Sequence, residues 1–295
     1  MSVLVSGASG FVGTALLRRL GPQARGLSLR SAETQWQRAL HGVGCVVHLA
    51  ARVHQKSENT PDALQSYRQT NTDLTLRFAR IAAAAGVRRF VLMSSIKAMG
   101  ESSAPGTPWT EGDAPQPVDA YGLSKLEAEK ALQQCCSETG MEFVIVRPPL
   151  VYGPNVKANF ASLIALVRTG LPLPFGAIRN QRSFIALDNL VDFIVLCTQH
   201  PQAANQLFLI SDGDDVSTPE LCRRIARAQQ RKLRLLDVPV PLLRCLGRAL
   251  GKNEVMERIC SSLQLNIDKA RGLLGWRAAV DMESALQQCV CNTRG

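Results

Sequence analysis

The stretch MSVLVSGASGFVGTALLRRL (1–20) decides how the chain is read. Val3 to Val5 is a short apolar run suited to a buried strand. Phe11, Ala15, Leu16 and Leu20 recur at helical spacing over 11–20. Between the two stand Gly7, Gly10 and Gly13, three apart. Strand, glycine loop and helix in this order are the setting a phosphate cradle requires. Glycines admit close approach of a diphosphate, and the helix N-terminus offers free N–H groups and the positive end of its dipole. The spacing is G-x-x-G-x-x-G rather than G-x-G-x-x-G, and taken alone it serves a structural turn equally well.

Outward from this unit the pattern repeats. Strands are expected at 26–29, 45–50 (CVVHLA), 89–94 (RFVLMS) and 142–146, and helices at 71–85, closed by Gly86, and 121–136. The strands are almost wholly apolar and alternate with helices. That predicts a parallel sheet covered on both faces, a doubly wound α/β core. After Pro148 the character changes. RPPLVYGP (147–154) is rich in Pro and Gly, a helix is expected at 160–169, and 170–183 reads as a loop. A strand follows at 206–210, and Ser217 to Glu220 has the form of a capping box before a helix at 221–229. PVPLLRCLGRAL (239–250) is apolar on more than one face but too short to span a bilayer, and reads as a packed helix of a second lobe. The expected division is a dinucleotide-binding domain from 1–152 and 183–205, and a smaller substrate lobe from 153–182 and 206–295.

Composition narrows the function. The 295 residues are 46% apolar and 20% charged, as in ordinary globular chains. No transmembrane run or basic leader is apparent, so a cytoplasmic protein without membrane insertion is expected. Nine cysteines form no C-x-x-C pair and read as reduced, buried thiols; no metal site is expected. The net charge of +10 is scattered, and aromatics are only 5%, which argues against a nucleic-acid partner. The positive excess does suit small phosphate-bearing ligands.

Two further motifs carry chemistry. In YGLSK (121–125), Tyr121 and Lys125 share one helix face. An ammonium there is expected to lower the phenol pKa, fitting Tyr121 to pass a proton to or from an alcohol oxygen; a merely exposed pair has the same spacing. Ser94-Ser95 end a strand, where ligands of open α/β sheets bind, and a hydroxyl there reaches the same oxygen; a capped strand end is the plainer alternative.

Taken together these motifs resemble the extended short-chain dehydrogenase/reductases, the NAD-dependent epimerase/dehydratase family, over nearly the whole chain. VVHLAA (46–51) resembles that family's strand beside the nicotinamide, VRPPLVYGP (146–154) its crossover, RSFIALDNLVD (182–192) its return to the sheet and LGW (274–276) its C-terminal signature. The resemblance implies hydride transfer with Ser95 orienting a carbonyl, Tyr121 as acid/base, and Lys125 tuning Tyr121 and holding a ribose. It implies cofactor contacts from Gly7, Ser9, Gly10, Phe11, Val12, Gly13, Arg30, Leu49, Ala50, Ala51, Asn71, Tyr121, Lys125 and Pro148. His48 lies within a strand and is assigned no catalytic part. Helix pairing into a homodimer is common among such proteins.

The chain departs from the family between Arg30 and Val46, where 15 residues replace another helix and strand, abbreviating the adenine side. Its second strand ends in Arg30 rather than an acid. An acid there would bind the ribose 2′-OH of NAD(H), whereas Arg suits the 2′-phosphate of NADP(H), which is the expected cofactor. The chain most resembles bacterial members acting on UDP-linked sugars, the epimerases and the 4-keto reductases of UDP-2-acetamido-2,6-dideoxyhexos-4-ulose. On that resemblance Ser95, Ile96, Lys97, Tyr121, Asn159, Arg182 and Arg258 contact substrate, with Arg182 on the diphosphate and Lys97 toward the sugar. Each charged residue among them also fits a solvated surface. A reductase is expected; a UDP-glucose or UDP-N-acetylglucosamine 4-epimerase with bound NAD, a reductase of uncharged carbonyls and a non-catalytic dinucleotide-binding regulator are the alternatives.

Overall fold

The structure is a computed structural model that describes residues 2–52 and 63–291. The first unit is β1 (Val3–Ser6), α1 (Phe11–Leu20), β2 (Ala24–Leu27), α2 (Glu33–Leu40) and β3 (Cys45–His48). Next, α3 (Ala63–Tyr67) runs through a π-helical turn, Arg68–Asp73, into α4 (Leu74–Ala84). Then come β4 (Arg89–Met93), α5 (Ala120–Thr139) and β5 (Glu142–Arg147). The remainder holds β6 (Leu150–Tyr152), α6 (Ala158–Arg168), β7 (Phe184–Ala186), α7 (Leu187–Gln199) and β8 (Gln206–Leu209), followed by α8 (Thr218–Ala228), α9 (Val240–Ala249), α10 (Asn253–Cys260), α11 (Asp268–Leu274) and α12 (Met282–Cys291).

Six strands form one parallel sheet in the order β2-β1-β3-β4-β5-β8. Side-chain alternation explains why the strands read as unbroken apolar runs. Val3, Val5, Val91, Val144 and Val146 face a core shared with α7 and Trp276, while Leu4, Phe90, Leu92 and Ile145 face one shared with α2, α4 and α5. A third core, around Tyr152, Phe160, Phe184, Leu221 and Leu286, lies among β6, β7, α6, α8 and α12. β1 has β2 on one side and β3 on the other, so the connections run in opposite directions from it. A crevice opens at the carboxyl ends of β1 and β3, where α/β folds bind ligands.

Several expected boundaries are corrected. The strand placed at 26–29 is β2 at Ala24–Leu27, because its partner β1 pairs Val3 with Ala24 and Ser6 with Leu27. Arg30 therefore lies in the turn beyond the strand, exposed, rather than at its last position. The helix placed at 71–85 is entered through the π-helical turn and α3. Residues 206–209, assigned by sequence to the smaller lobe, are β8 and complete the main sheet beside β5. The abbreviation before Val46 is real: only α2 fills it, and β2 is left as the sheet's edge.

Candidate active site

The glycines of the first loop are present for different reasons. Gly7 has φ +73°, and a Cβ on it would lie 2.7 Å from the Ala50 nitrogen. A Cβ on Gly13 would lie 2.2 Å from the Gly7 oxygen, so α1 seats directly on the loop. The fold requires both whatever binds there. Gly10 is different: it is exposed, caps α1 without a side-chain hydrogen bond, and no acid lies in the first turn. The first-turn amides over Phe11, Val12 and Gly13 thus have no intrahelical acceptor and point into the crevice mouth with the positive dipole end. Ser9, Leu49, Ala50 and Ala51 border this opening, half-buried or exposed. A bare, uncapped helix terminus at a sheet's switch point fits the diphosphate of a dinucleotide.

Ser95, Tyr121 and Lys125 meet where β4 ends against the start of α5. Ser95 caps the turn Ile96–Ala98, its hydroxyl accepting from the Lys97 amide at 3.2 Å. Ile96 donates its amide to the Pro148 carbonyl at 2.9 Å, tying the β4 and β5 ends together. The Ile96 side chain is buried in a cluster with Met99, Leu209, Leu263 and Leu265. α5 starts where it does because Asp119 accepts from the Gly122 amide at 2.6 Å. A Cβ on Gly122 would lie 2.3 Å from the Lys97 oxygen, so only glycine lets the helix approach this closely. The Lys97 ammonium is held by Asp119 and by Glu101 at 2.7 Å. Lys97 therefore braces the start of α5.

The electrostatics overturn one expectation. Burial pushes the Tyr121 phenol up to about 12; a hydrogen bond with Ser95 opposes this, and Asp119 and Tyr67 add to it. Lys125 does not lower it. The buried lysine donates instead to the Met93 carbonyl at 2.6 Å, and burial brings its own pKa down to about 8, with Glu129 holding it up. His48 is buried between Ser6 (2.7 Å) and Thr75 (2.9 Å) and is depressed to about 3 by burial and then by Lys125, so it is neutral and structural. Asn71, wholly buried in the π-helical turn, donates to the Arg52 carbonyl (3.1 Å) and Ser124 hydroxyl (3.0 Å) and accepts from the Arg52 amide (2.8 Å). Its amide links the segment after β3 to the helix bearing Tyr121 and Lys125.

Sequence reasoning missed what lies beneath. Glu129, one turn beyond Lys125, is buried and bound by Arg147 from β5, with Nε to Oε1 at 2.9 Å. It also accepts from the Ser94 hydroxyl. One carboxylate thus joins β4, α5 and β5 directly under the Ser95–Tyr121–Lys125 cluster. The available signal was the i,i+4 spacing from Lys125, which an exposed helical pair shares.

A second cavity, of about 250 Å³, opens in the other lobe. Asn159, Arg182 and Arg258 all line it, with Phe160, Phe184 and Val255. Asn159 is the second residue of α6 and exposed. Arg182 donates to the Ser261 carbonyl at 3.0 Å; burial lowers its pKa to about 10, with Glu101 opposing and Arg258 assisting. It stays charged near neutrality. Arg258 pairs with Glu254 at 3.6 Å, and its buried Nε has no partner among the described residues. Two guanidiniums over an apolar pocket suit an anion joined to a flat apolar group.

Comparison with known proteins bears on the family and the fold. Residues 3–211 match the NAD dependent epimerase/dehydratase family. A UDP-glucose 4-epimerase of Vibrio cholerae is 41% identical, over 97% of this chain and 94% of its own. Two solved structures share the fold. A short-chain dehydrogenase/reductase superfamily protein from Agrobacterium tumefaciens with bound NAD has TM-score 0.78 at 22% identity, covering 100% of this chain and 97% of that one. RMD from Pseudomonas aeruginosa complexed with NADPH has TM-score 0.77 at 20% identity, covering 100% of both chains. With its glycine loop, its parallel sheet and the Tyr121–Lys125 pair beside Ser95, the chain belongs to the NAD-dependent epimerase/dehydratase family of extended short-chain dehydrogenase/reductases.

Proposed function

We propose that the protein is a cytoplasmic reductase of the C4 keto group of a UDP-4-keto-6-deoxy-N-acetylhexosamine, serving surface-polysaccharide precursor synthesis with NADPH. The observation that carries the reading is the meeting of Ser95, Tyr121 and Lys125 at the end of β4, with the Tyr121 phenol hydrogen-bonded to Ser95 and kept protonated at neutral pH by burial. A protonated phenol so placed fits the proton donor that reduction of a carbonyl needs. NADPH, when held by the glycine loop, would supply the hydride. Tyr121 donates its proton to the carbonyl oxygen, the Ser95 hydroxyl holds that oxygen by hydrogen bonding, and Lys125 offers an ammonium to the ribose. The α1 amides take the cofactor diphosphate. Arg182 and Arg258 take that of the UDP, with Asn159 beside them.

A second reading, a UDP-sugar 4-epimerase with retained NAD, is favoured by the name of the Vibrio cholerae relative. Cofactor stoichiometry separates the two. One NADPH consumed per UDP-4-keto-sugar reduced supports the reductase; interconversion of UDP-hexoses without net cofactor use makes the protein an epimerase.

Two substitutions test the binding assignments. Arg182→Ala is expected to raise the UDP dissociation constant about ten- to a hundredfold, the worth of hydrogen bonds to a charged group, and to leave NADPH affinity unchanged. Calorimetric titration of UDP in the presence of cofactor reads it; unchanged UDP affinity would favour a reductase of uncharged carbonyls. Arg30, exposed beyond the edge strand, is assigned to the 2′-phosphate. Arg30→Asp is expected to weaken NADPH binding and relatively favour NADH, through loss of a charge-assisted contact and new repulsion. An unaltered ratio of the two dissociation constants would remove Arg30 from the cofactor site and reopen the epimerase reading.

A further inference from the structure

Helix α9 has two apolar faces, and its lobe uses one. Leu243 and Gly247 are buried, and a Cβ on Gly247 would lie 2.3 Å from Met256 Cγ, so this face is seated on α10. Leu242, Leu246 and Leu250, each four residues from the next, are 51%, 50% and 69% exposed. Cys245 and Ala249, between them on the same side, are exposed as well. Contiguous exposed apolar surface of this kind marks an interaction site.

The charge around the stripe indicates what covers it. From 231 to 258 the chain holds seven Arg and Lys against three Asp and Glu. Two of the three acids are paired within the lobe, Glu257 with Arg244 at 3.2 Å and Glu254 with Arg258 at 3.6 Å. Arg248, in the last turn of α9 three residues after Cys245, and Lys252, just beyond the helix end, are both exposed. We propose that α9 docks the protein on an anionic lipid bilayer, its leucine stripe in the headgroup boundary and Arg248 and Lys252 on the lipid phosphates.

Geometry and charge favour this occupant. Ten residues of helix are about 15 Å long, enough to lie in the interface and far too short to cross it. Among the described residues no helix is long and apolar enough to cross a membrane. Long basic side chains beside an apolar stripe reach from the acyl boundary to the phosphates. A second copy docked on this face about a two-fold axis would set the basic flank against itself, whereas an anionic surface complements it. The inference rests on exposed side chains remote from Tyr121 in sequence and does not depend on the proposed reaction.

Vesicle flotation of the full chain tests it, with phosphatidylcholine alone and with phosphatidylglycerol added. Binding is expected to the anionic vesicles and to fall with salt. Leu242→Ser with Leu246→Ser should weaken it at least about tenfold, as loss of two half-buried leucines predicts, and Arg248→Glu with Lys252→Glu should do likewise through charge alone. Thermal unfolding near the parent midpoint identifies folded variants; the charge variant alters only exposed positions and serves as the test if the leucine variant unfolds. Failure to bind anionic vesicles, or equal binding by parent and folded variants, overturns the proposal. A dimer in light scattering that the leucine substitutions abolish would assign the face to a second copy and overturn it too.

Discussion

Tyr121→Phe is expected to lower kcat by about a hundred- to ten-thousandfold, the usual worth of a positioned general acid, while NADPH still binds. The ring loses only its hydroxyl. Its packing against Tyr67, with centroids 5.9 Å apart, needs the ring and not the oxygen, so α5 should hold its place. The pH dependence carries a second signature. The phenol, pushed up to about 12, remains protonated through the working range, whereas Lys125, brought down to about 8, loses its charge as pH rises through that value. Turnover should therefore decline on the alkaline side near pH 8, with Lys125 as its source. Steady-state kinetics of both proteins, with a parallel cofactor titration, make the measurement. Near-parental turnover by the phenylalanine variant would remove Tyr121 from the chemistry.

Glu129→Gln is expected to act on stability and on pH together. Removing one partner of a buried ion pair leaves the other charge uncompensated, at a cost of about 3–5 kcal/mol. Here that charge is Arg147, 4% exposed against 2% for Glu129. Denaturant unfolding should show a loss of this order. Replacing both residues with apolar ones of similar size, Glu129→Leu with Arg147→Met, should recover most of it, because no unpaired charge then stays buried. The second effect is specific to Lys125. Glu129 holds the lysine pKa up, so its neutralisation should move the alkaline decline in kcat to lower pH. A purely structural glutamate would change the unfolding curve and leave the position of that decline unmoved.

The candidate site was legible in part. Tyr121, Lys125 and Ser95 were readable because a helical i,i+4 pair and a strand-end hydroxyl are local patterns, and the fold sets them side by side. Arg182 and Arg258 lie far apart in the chain yet line one cavity, which a resemblance could suggest and only packing could demonstrate. The surroundings of Lys97 and Ile96 were not legible for the same local reason. Their position two residues or fewer from Ser95 said nothing of direction, and their side chains turn to Asp119 and to an apolar cluster.

What the sequence by itself determined is the alternation of apolar strands with helices, hence a doubly wound sheet, and the span of α1, whose apolar spacing and preceding glycine need no distant partner. Local periodicity is sufficient where each residue's environment is set by its own element. What only the tertiary structure decided depends on neighbours from elsewhere in the chain. The limits of β2 follow from its pairing with β1, and the place of β8 from its pairing with β5. Glu129 reads as a solvated helix residue until β4 and β5 bring Ser94 and Arg147 to it. The sign of the Tyr121 shift was decided there too. The sequence showed an ammonium one turn away, but that ammonium turns to the Met93 carbonyl and burial sets the shift, which depends on the whole packed environment rather than on spacing.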